Sequence, residues 1–310
     1  MYAGSRGGSR PAYSVDELVR LLSVVDSSGH PRQWLSTGVV FLHIFAPSGH
    51  LFATWVSGTR ADGADWSVYL DSLFASAGAL RRLDSAVAIV EAAVSPLAGA
   101  LPVAVMIPYP DPRADSLGFG GLTFDITRPQ GRIAAAAAYV AEVGRRFPSA
   151  HFHRLRLDGF YWLFESIPAD DTTLVSGVAS AVHQAGARLL WIPFFTAQNV
   201  DRWQALGIDE AWLQPNYFFN RDVPATRLDS AAARALRLGM GLEIEFDGRL
   251  YNDARFGDRL DPYLATLATV PALRARSTAL YEGGGALIHL SHSRRPSDVE
   301  LYRRLAEVLR

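Results

Sequence analysis

The chain has 310 residues, a hydrophobic fraction of 49% and a formal net charge of −1. That is enough apolar material for one large core, and it offers no basic footprint for nucleic acid or an anionic membrane. There is no cysteine, which excludes disulfides, thiolate metal sites and a cysteine nucleophile, and the scattered basic residues are all arginine.

Residues 1–12 are rich in Gly, Ser and Arg and read as a flexible N-terminal segment, with one folded domain expected over residues 13–310. The N-terminus lacks the apolar run of a secretory signal and no later run is long enough to span a bilayer, so a cytoplasmic location is expected. Ser14 with Glu17 makes a capping-box pattern ahead of Leu18, Leu21 and Leu22, which opens the first helix. A β-branched and aromatic strand follows at residues 39–46, then helices at 64–74 and 80–93.

From there the alternation is regular. Apolar strands are expected at 103–109, 155–162, 188–194, 211–217, 242–247 and 286–290. Helices are expected at 133–147, 172–185, 230–238, 262–281 and 297–309, with Gly186 and Gly239 just past two of their ends. Alternating βα units with near-continuous apolar strands predict a parallel sheet buried on both faces. A single-domain (β/α)8 TIM-type barrel is favoured over an open doubly wound sheet. No Gly-rich phosphate loop follows the first strand, and the polar candidates sit at the ends of several different strands. Seven strands are legible; residues 51–56 are the candidate for the eighth, in an irregular first βα unit.

Three aromatic segments end in polar groups: Gly159-Phe160-Tyr161-Trp162-Leu163-Phe164-Glu165, Trp191-Ile192-Pro193-Phe194-Phe195 and Gln214-Pro215-Asn216-Tyr217-Phe218-Phe219. Glu165 falls just past a strand's C-terminal end, behind which stand Tyr161 and Trp162. Low polarity there would raise its pKa, as a general acid needs. Glu243, Glu245 and Asp247 alternate with Ile244 and Phe246, so the three share one side of a strand. An inward acidic row in a buried sheet is costly unless it has partners or a function. Glu165 with Glu245, or with Glu243 as the alternate, supplies the two carboxylates that glycoside cleavage requires.

Tyr109, Tyr161, Trp162, Trp191 and Tyr217 are candidate sugar platforms, and Gln214 and Asn216 share strand parity and could bond vicinal hydroxyls. Asp247 completes the candidate binding set. His43 reads as a core histidine, His151 and His153 precede their strand, and only His289 and His292 fall near the last strand. No histidine–carboxylate set has convincing metal spacing, so neither metal nor cofactor is expected.

These segments, together with Ala64-Asp65-Trp66, Tyr69-Leu70-Asp71 and Met106-Ile107-Pro108-Tyr109-Pro110, resemble the bacterial family of the domain of unknown function 4855 over residues 65–282. That resemblance implies a glycoside-hydrolase-type barrel and brings no reaction of its own. The expectation is therefore a carbohydrate-active hydrolase acting on an oligosaccharide or glycoconjugate, with a non-catalytic carbohydrate-binding barrel as the alternative. A metal-assisted hydrolase using His289 or His292 is a third reading. The oligomeric state is not encoded in any motif found here.

Overall fold

The computed structural model describes residues 2–3, 13–53 and 57–309. The chain opens with β1 (Tyr2–Ala3), α1 (Val15–Leu22), a hairpin of β2 (Ser23–Val25) and β3 (Pro31–Trp34), and β4 (Val39–Phe41). Next come α2 (Gly63–Phe74), α3 (Ala79–Ala93), β5 (Leu101–Ile107), a second hairpin of β6 (Ser116–Phe119) and β7 (Leu122–Asp125), and α4 (Pro129–Ser149). The middle comprises β8 (Leu155–Trp162), α5 (Thr172–Gln184), β9 (Arg188–Trp191), β10 (Glu210–Leu213), α6 (Thr226–Leu238) and β11 (Gly241–Asp247). It ends with α7 (Arg249–Asn252), α8 (Asp261–Thr269), α9 (Pro271–Arg274), β12 (Thr278–Gly283), α10 (Ala286–His292) and α11 (Pro296–Val308).

One sheet runs β1-β4-β5-β8-β9-β10-β11-β12 in chain order, and every pairing in it is parallel. β1 also lies beside β12, bringing the two ends of the sheet together. Helices alternate with the strands and cover the outside, so the strands are buried on both faces. The architecture is a single TIM-type barrel. Among the described residues, no helix is long and apolar enough to cross a membrane.

Local chemistry explains the element starts. Ser14 accepts from the Glu17 amide at 3.2 Å while Glu17 accepts from the Ser14 amide at 2.8 Å, which is the capping box expected for α1. Asp62 and Asp65 form the same reciprocal cap at α2. The core carries large fully buried rings, among them Trp66, Trp162, Trp191, Tyr139 and Tyr263.

Two expectations are corrected. The helix expected at 262–281 is broken by Pro271 into α8 and α9, and the chain then enters β12. The strand expected at 286–290 is helix α10, because a short apolar run carries no period that separates buried strand from buried helix. Gly284 and Gly285 turn the chain between β12 and α10 with φ of 72° and 81°, which suits glycine. The eighth strand is β1. In the segment 51–56, Leu51 makes only isolated bridges, to Phe45 and Arg60, and residues 54–56 lie outside the described residues. Of the stretch expected to be loose, Tyr2–Ala3 forms β1; residue 1 and residues 4–12 also lie outside the described residues.

Candidate active site

A cavity of about 320 Å3 opens at the C-terminal end of the barrel. One part of its wall carries Glu165, Gln214, Asn216, Glu243 and Glu245. The rest is Leu42, Ile44, Tyr161, Leu163, Phe219 and Tyr281. Glu165 lies three residues past the end of β8, the fourth strand of the sheet, whereas Glu243 and Glu245 belong to β11, the seventh. The acids therefore come from different sectors of the ring and meet at its mouth.

The loop bearing Glu165 is pinned through its backbone. The Phe194 amide donates to the Glu165 carbonyl at 3.3 Å, and Trp191 Nε1 donates to the Phe164 carbonyl at 2.9 Å. Glu165 keeps some surface exposure, but its carboxyl is enclosed by the cavity. Burial, reinforced by the charge of Glu245, pushes its pKa up to about 8 against an opposing hydrogen bond from Gln214. Glu245 is buried, and burial raises its pKa as well. Donors act the other way on Glu245: Tyr263 OH reaches Oε2 at 3.0 Å and the Asn216 amide reaches it at 2.8 Å. Two enclosed carboxyls thus share one cavity in unequal surroundings. Among the described residues, no arginine forms an ion pair with Glu165 or Glu245.

Asn216 is a framework residue in this wall. Its φ of 52° is left-handed, uncommon for a residue with a side chain, and its bonds hold it there. Its Oδ1 accepts from the Phe195 amide at 2.7 Å and its Nδ2 donates to Gln214 Oε1 at 3.0 Å. Gln214 in turn donates to the Ile192 carbonyl at 3.1 Å. Strand parity does not bring the two amides together, since β10 ends at Leu213; this hydrogen-bonded loop does.

The other expected residues are placed elsewhere. Trp162 and Trp191 are 1% and 0% exposed and present no open face. Tyr109 donates to Asp171 Oδ2 at 2.6 Å and packs edge-on against Phe164 and Trp162. The Tyr217 ring lies 3.8 Å from the Arg259 guanidinium carbon. Asp247 shares the β11 row but not the cavity, because it is tied to the Arg249 amide at 2.9 Å and to its guanidinium at 3.0 Å. Tyr161 does line the cavity, while remaining 1% exposed.

His43 contacts Tyr69 edge-on, and burial holds its pKa down to about 4. His289 stacks on Tyr251 at 3.6 Å and lies 3.4 Å from Asp298, on helix α10 rather than on a strand. Ligand-type atoms of His50, Asp62 and Asp65 lie within 4.8 Å of one another. That group is accounted for by the α2 capping box and the 2.7 Å contact of His50 Nδ1 with Asp65.

In the sequence, three residues around the acids carry little signal of their place. Tyr281 falls within the helix expected at 262–281; as a β12 residue it faces the acids, and burial, followed by the charges of Glu243 and Glu165, pushes its phenol up to about 12. Tyr263 sits on α8 and carries no motif that would mark it as a partner of Glu245. Phe219 is 36% exposed at the lip, its ring 6.0 Å from that of Tyr281. The one available signal was its place at the end of an aromatic segment.

A larger cavity, of about 460 Å3, opens at the strands' N-terminal ends beside Asp158, Arg188 and Glu210. Its two carboxylates are both paired with Arg188: Asp158 and, at 2.9 Å, Glu210. Its carboxylates are therefore neutralised, and barrel enzymes act at the opposite end.

Fold and mouth together define a TIM-type barrel with a carboxylate-lined cavity at its C-terminal face. The chain belongs to the family described as "Domain of unknown function (DUF4855)", whose profile matches residues 1–307. Among solved structures it is similar to a Bacteroides thetaiotaomicron protein named "putative alpha-L-fucosidase", at 11% identity and a TM-score of 0.51, covering 99% of this chain and 94% of that one. A mutant tryptophan synthase alpha-subunit from the hyperthermophile Pyrococcus furiosus is similar at 12% identity and a TM-score of 0.43, covering 99% of this chain and 96% of that one. Likeness at these identities speaks to the fold alone. No curated protein matches the chain.

Proposed function

We propose that the protein is a glycoside hydrolase in which Glu165 is the general acid/base and Glu245 the second carboxylate, with Glu243 the alternate. The observation that carries this reading is the meeting of Glu165 and Glu245 in one cavity, with no arginine ion-paired to either among the described residues; burial, which pushes Glu165 up to about 8, favours its protonated form at neutral pH. The roles follow from the surroundings. Glu165 has the weaker hydrogen-bond support for its charge, so it keeps its proton and delivers it to the departing glycosidic oxygen. Glu245 accepts from Tyr263 and Asn216, which favour its ionised form, so it attacks the anomeric carbon or activates water. Neither step calls for a cofactor. Gln214, whose amide is oriented by Asn216, reaches Glu165 and is placed to meet a sugar hydroxyl beside it. The neighbour with a fucosidase name is in keeping with a hydrolase on this fold and leaves the sugar open.

The test is a panel of aryl glycosides assayed with the native protein and with Glu165→Gln and Glu245→Gln. Each substitution is expected to lower turnover by roughly 10²–10⁴-fold with the fold retained by circular dichroism. Native turnover in Glu165→Gln would remove the assigned acid. Sugar binding by calorimetry, without turnover of any panel member, would establish the binding-only barrel instead.

A further inference from the structure

The cavity has two unlike sides, and the difference constrains the sugar. Leu42 and Ile44 follow β4, the second strand, whereas Gln214 and Asn216 follow β10, the sixth. Four places round a ring of eight puts them across the cavity from each other. Leu42 and Ile44 are only half-buried and make an aliphatic wall opposite Gln214 and Asn216, which the buried Leu163, two residues before Glu165, continues toward the acids. None of these three side chains can pair with a hydroxyl. An ordinary hexose carries hydroxyl groups or a hydroxymethyl around its whole rim, and one pressed on this wall would give up water that Leu42, Ile44 and Leu163 cannot replace.

We propose that the ring bound here is a 6-deoxyhexose, its C5 methyl seated on Leu42, Ile44 and Leu163 and its hydroxyls turned to the polar side. The proposal rests on the glycoside-hydrolase reading of the same cavity and narrows it to a substrate class. A methyl group gains from leaving water for such a wall, whereas a hydroxymethyl must give up hydrogen bonds to enter it. At about 320 Å3 the cavity lies near the lower end of the range for small-molecule sites, so it suits a terminal ring rather than a long internal stretch of polymer.

The experiment compares aryl hexosides in matched pairs that differ only at C6, in the L-galacto, D-galacto and L-manno configurations and in both anomers. For the configuration that is turned over, kcat/KM is expected to favour the 6-deoxy member by roughly 10–100-fold, the discrimination an apolar pocket achieves against one added hydroxyl. Ile44→Thr, checked for retained fold, should shrink that ratio severalfold by giving the wall a donor. A ratio at or below one overturns the proposal and leaves the hydrolase reading standing. If no glycoside is turned over, calorimetry with the free sugars decides. Tighter binding of a 6-deoxyhexose than of its 6-hydroxy partner upholds the sugar class while the hydrolase reading falls; equal or absent binding sinks the sugar class as well.

Discussion

Under the proposed mechanism, chemistry and stability pull in opposite directions at Glu165. Its pKa in the folded protein is about 8 against the usual 4.5, so between those values the folded state keeps a proton that the unfolded chain has lost. The resulting stabilisation is full below about pH 4.5 and is lost as pH rises through 8. Glu165→Gln removes the ionisable group. Its melting temperature should therefore exceed that of the native protein, by more at pH 9 than at pH 5, while activity collapses. Equal melting curves at both pH values would show that the carboxyl is not enclosed as described. Tyr263 tunes the partner acid. Tyr263→Phe removes a donor to the ionised form of Glu245 and should raise that pKa. In the pH profile of kcat/KM, the acid limb should then move upward toward the alkaline limb set by Glu165, with about a tenfold loss at neutral pH. An unmoved acid limb would mean that Glu245 is not the group ionising there. Sequence placed Glu165, Glu243, Glu245, Gln214, Asn216 and Tyr161 at the mouth because strand ends are legible locally. Leu42, Ile44 and Tyr281 enter the cavity from elsewhere round the ring, and Tyr263 reaches Glu245 from α8; no local pattern announces either.

At the scale of elements, the chain is most legible where period and punctuation agree. α5 and β8 fall where apolar spacing places them, and α1 starts where its capping box does. The β12–α10 segment failed for lack of period, and the β6–β7 hairpin went unread because its exposed alternation is short. That hairpin matters mechanically. It sits against the first turns of α2 and α4, where a Cβ on Gly63 would stand 1.6 Å from the Gly118 carbonyl oxygen and one on Gly131 would stand 1.7 Å from that of Asp125. Backbone cannot yield as a side-chain tip does. Gly63→Ala should therefore cost roughly 1–3 kcal/mol in denaturant unfolding as the hairpin lifts. Gly144→Ala, inside α4 with no atom within 4 Å of its would-be Cβ, is the control and should stabilise by about 0.5–1 kcal/mol. If both variants unfold alike, the hairpin is not clamped on α2.

For the whole molecule, the site depends on the ring being held together. The acids stand on the fourth and seventh strands and the aliphatic wall follows the second, so their spacing is set by the curvature of the sheet. β1 is the narrowest part of that ring: its two residues pair with Val40 and Phe41 of β4 and lie beside β12. Long apolar strands announce themselves in a sequence, whereas a two-residue strand is defined only by the neighbours that bracket it, which is why the eighth strand was not legible. Deleting residues 1–3 should leave β4 as an open parallel edge, with unpaired backbone groups that water or a second molecule must satisfy, and uncover the side of β12 beside which β1 lies. The truncated protein should melt at lower temperature, exchange its Val39–Phe41 and Thr278–Gly283 amides faster, and lose activity in proportion as Leu42 and Ile44 shift away from the acids. Unchanged exchange in those two strands would show that the ring holds its shape without β1, and that the outer helices, rather than sheet closure, set the distance across the cavity.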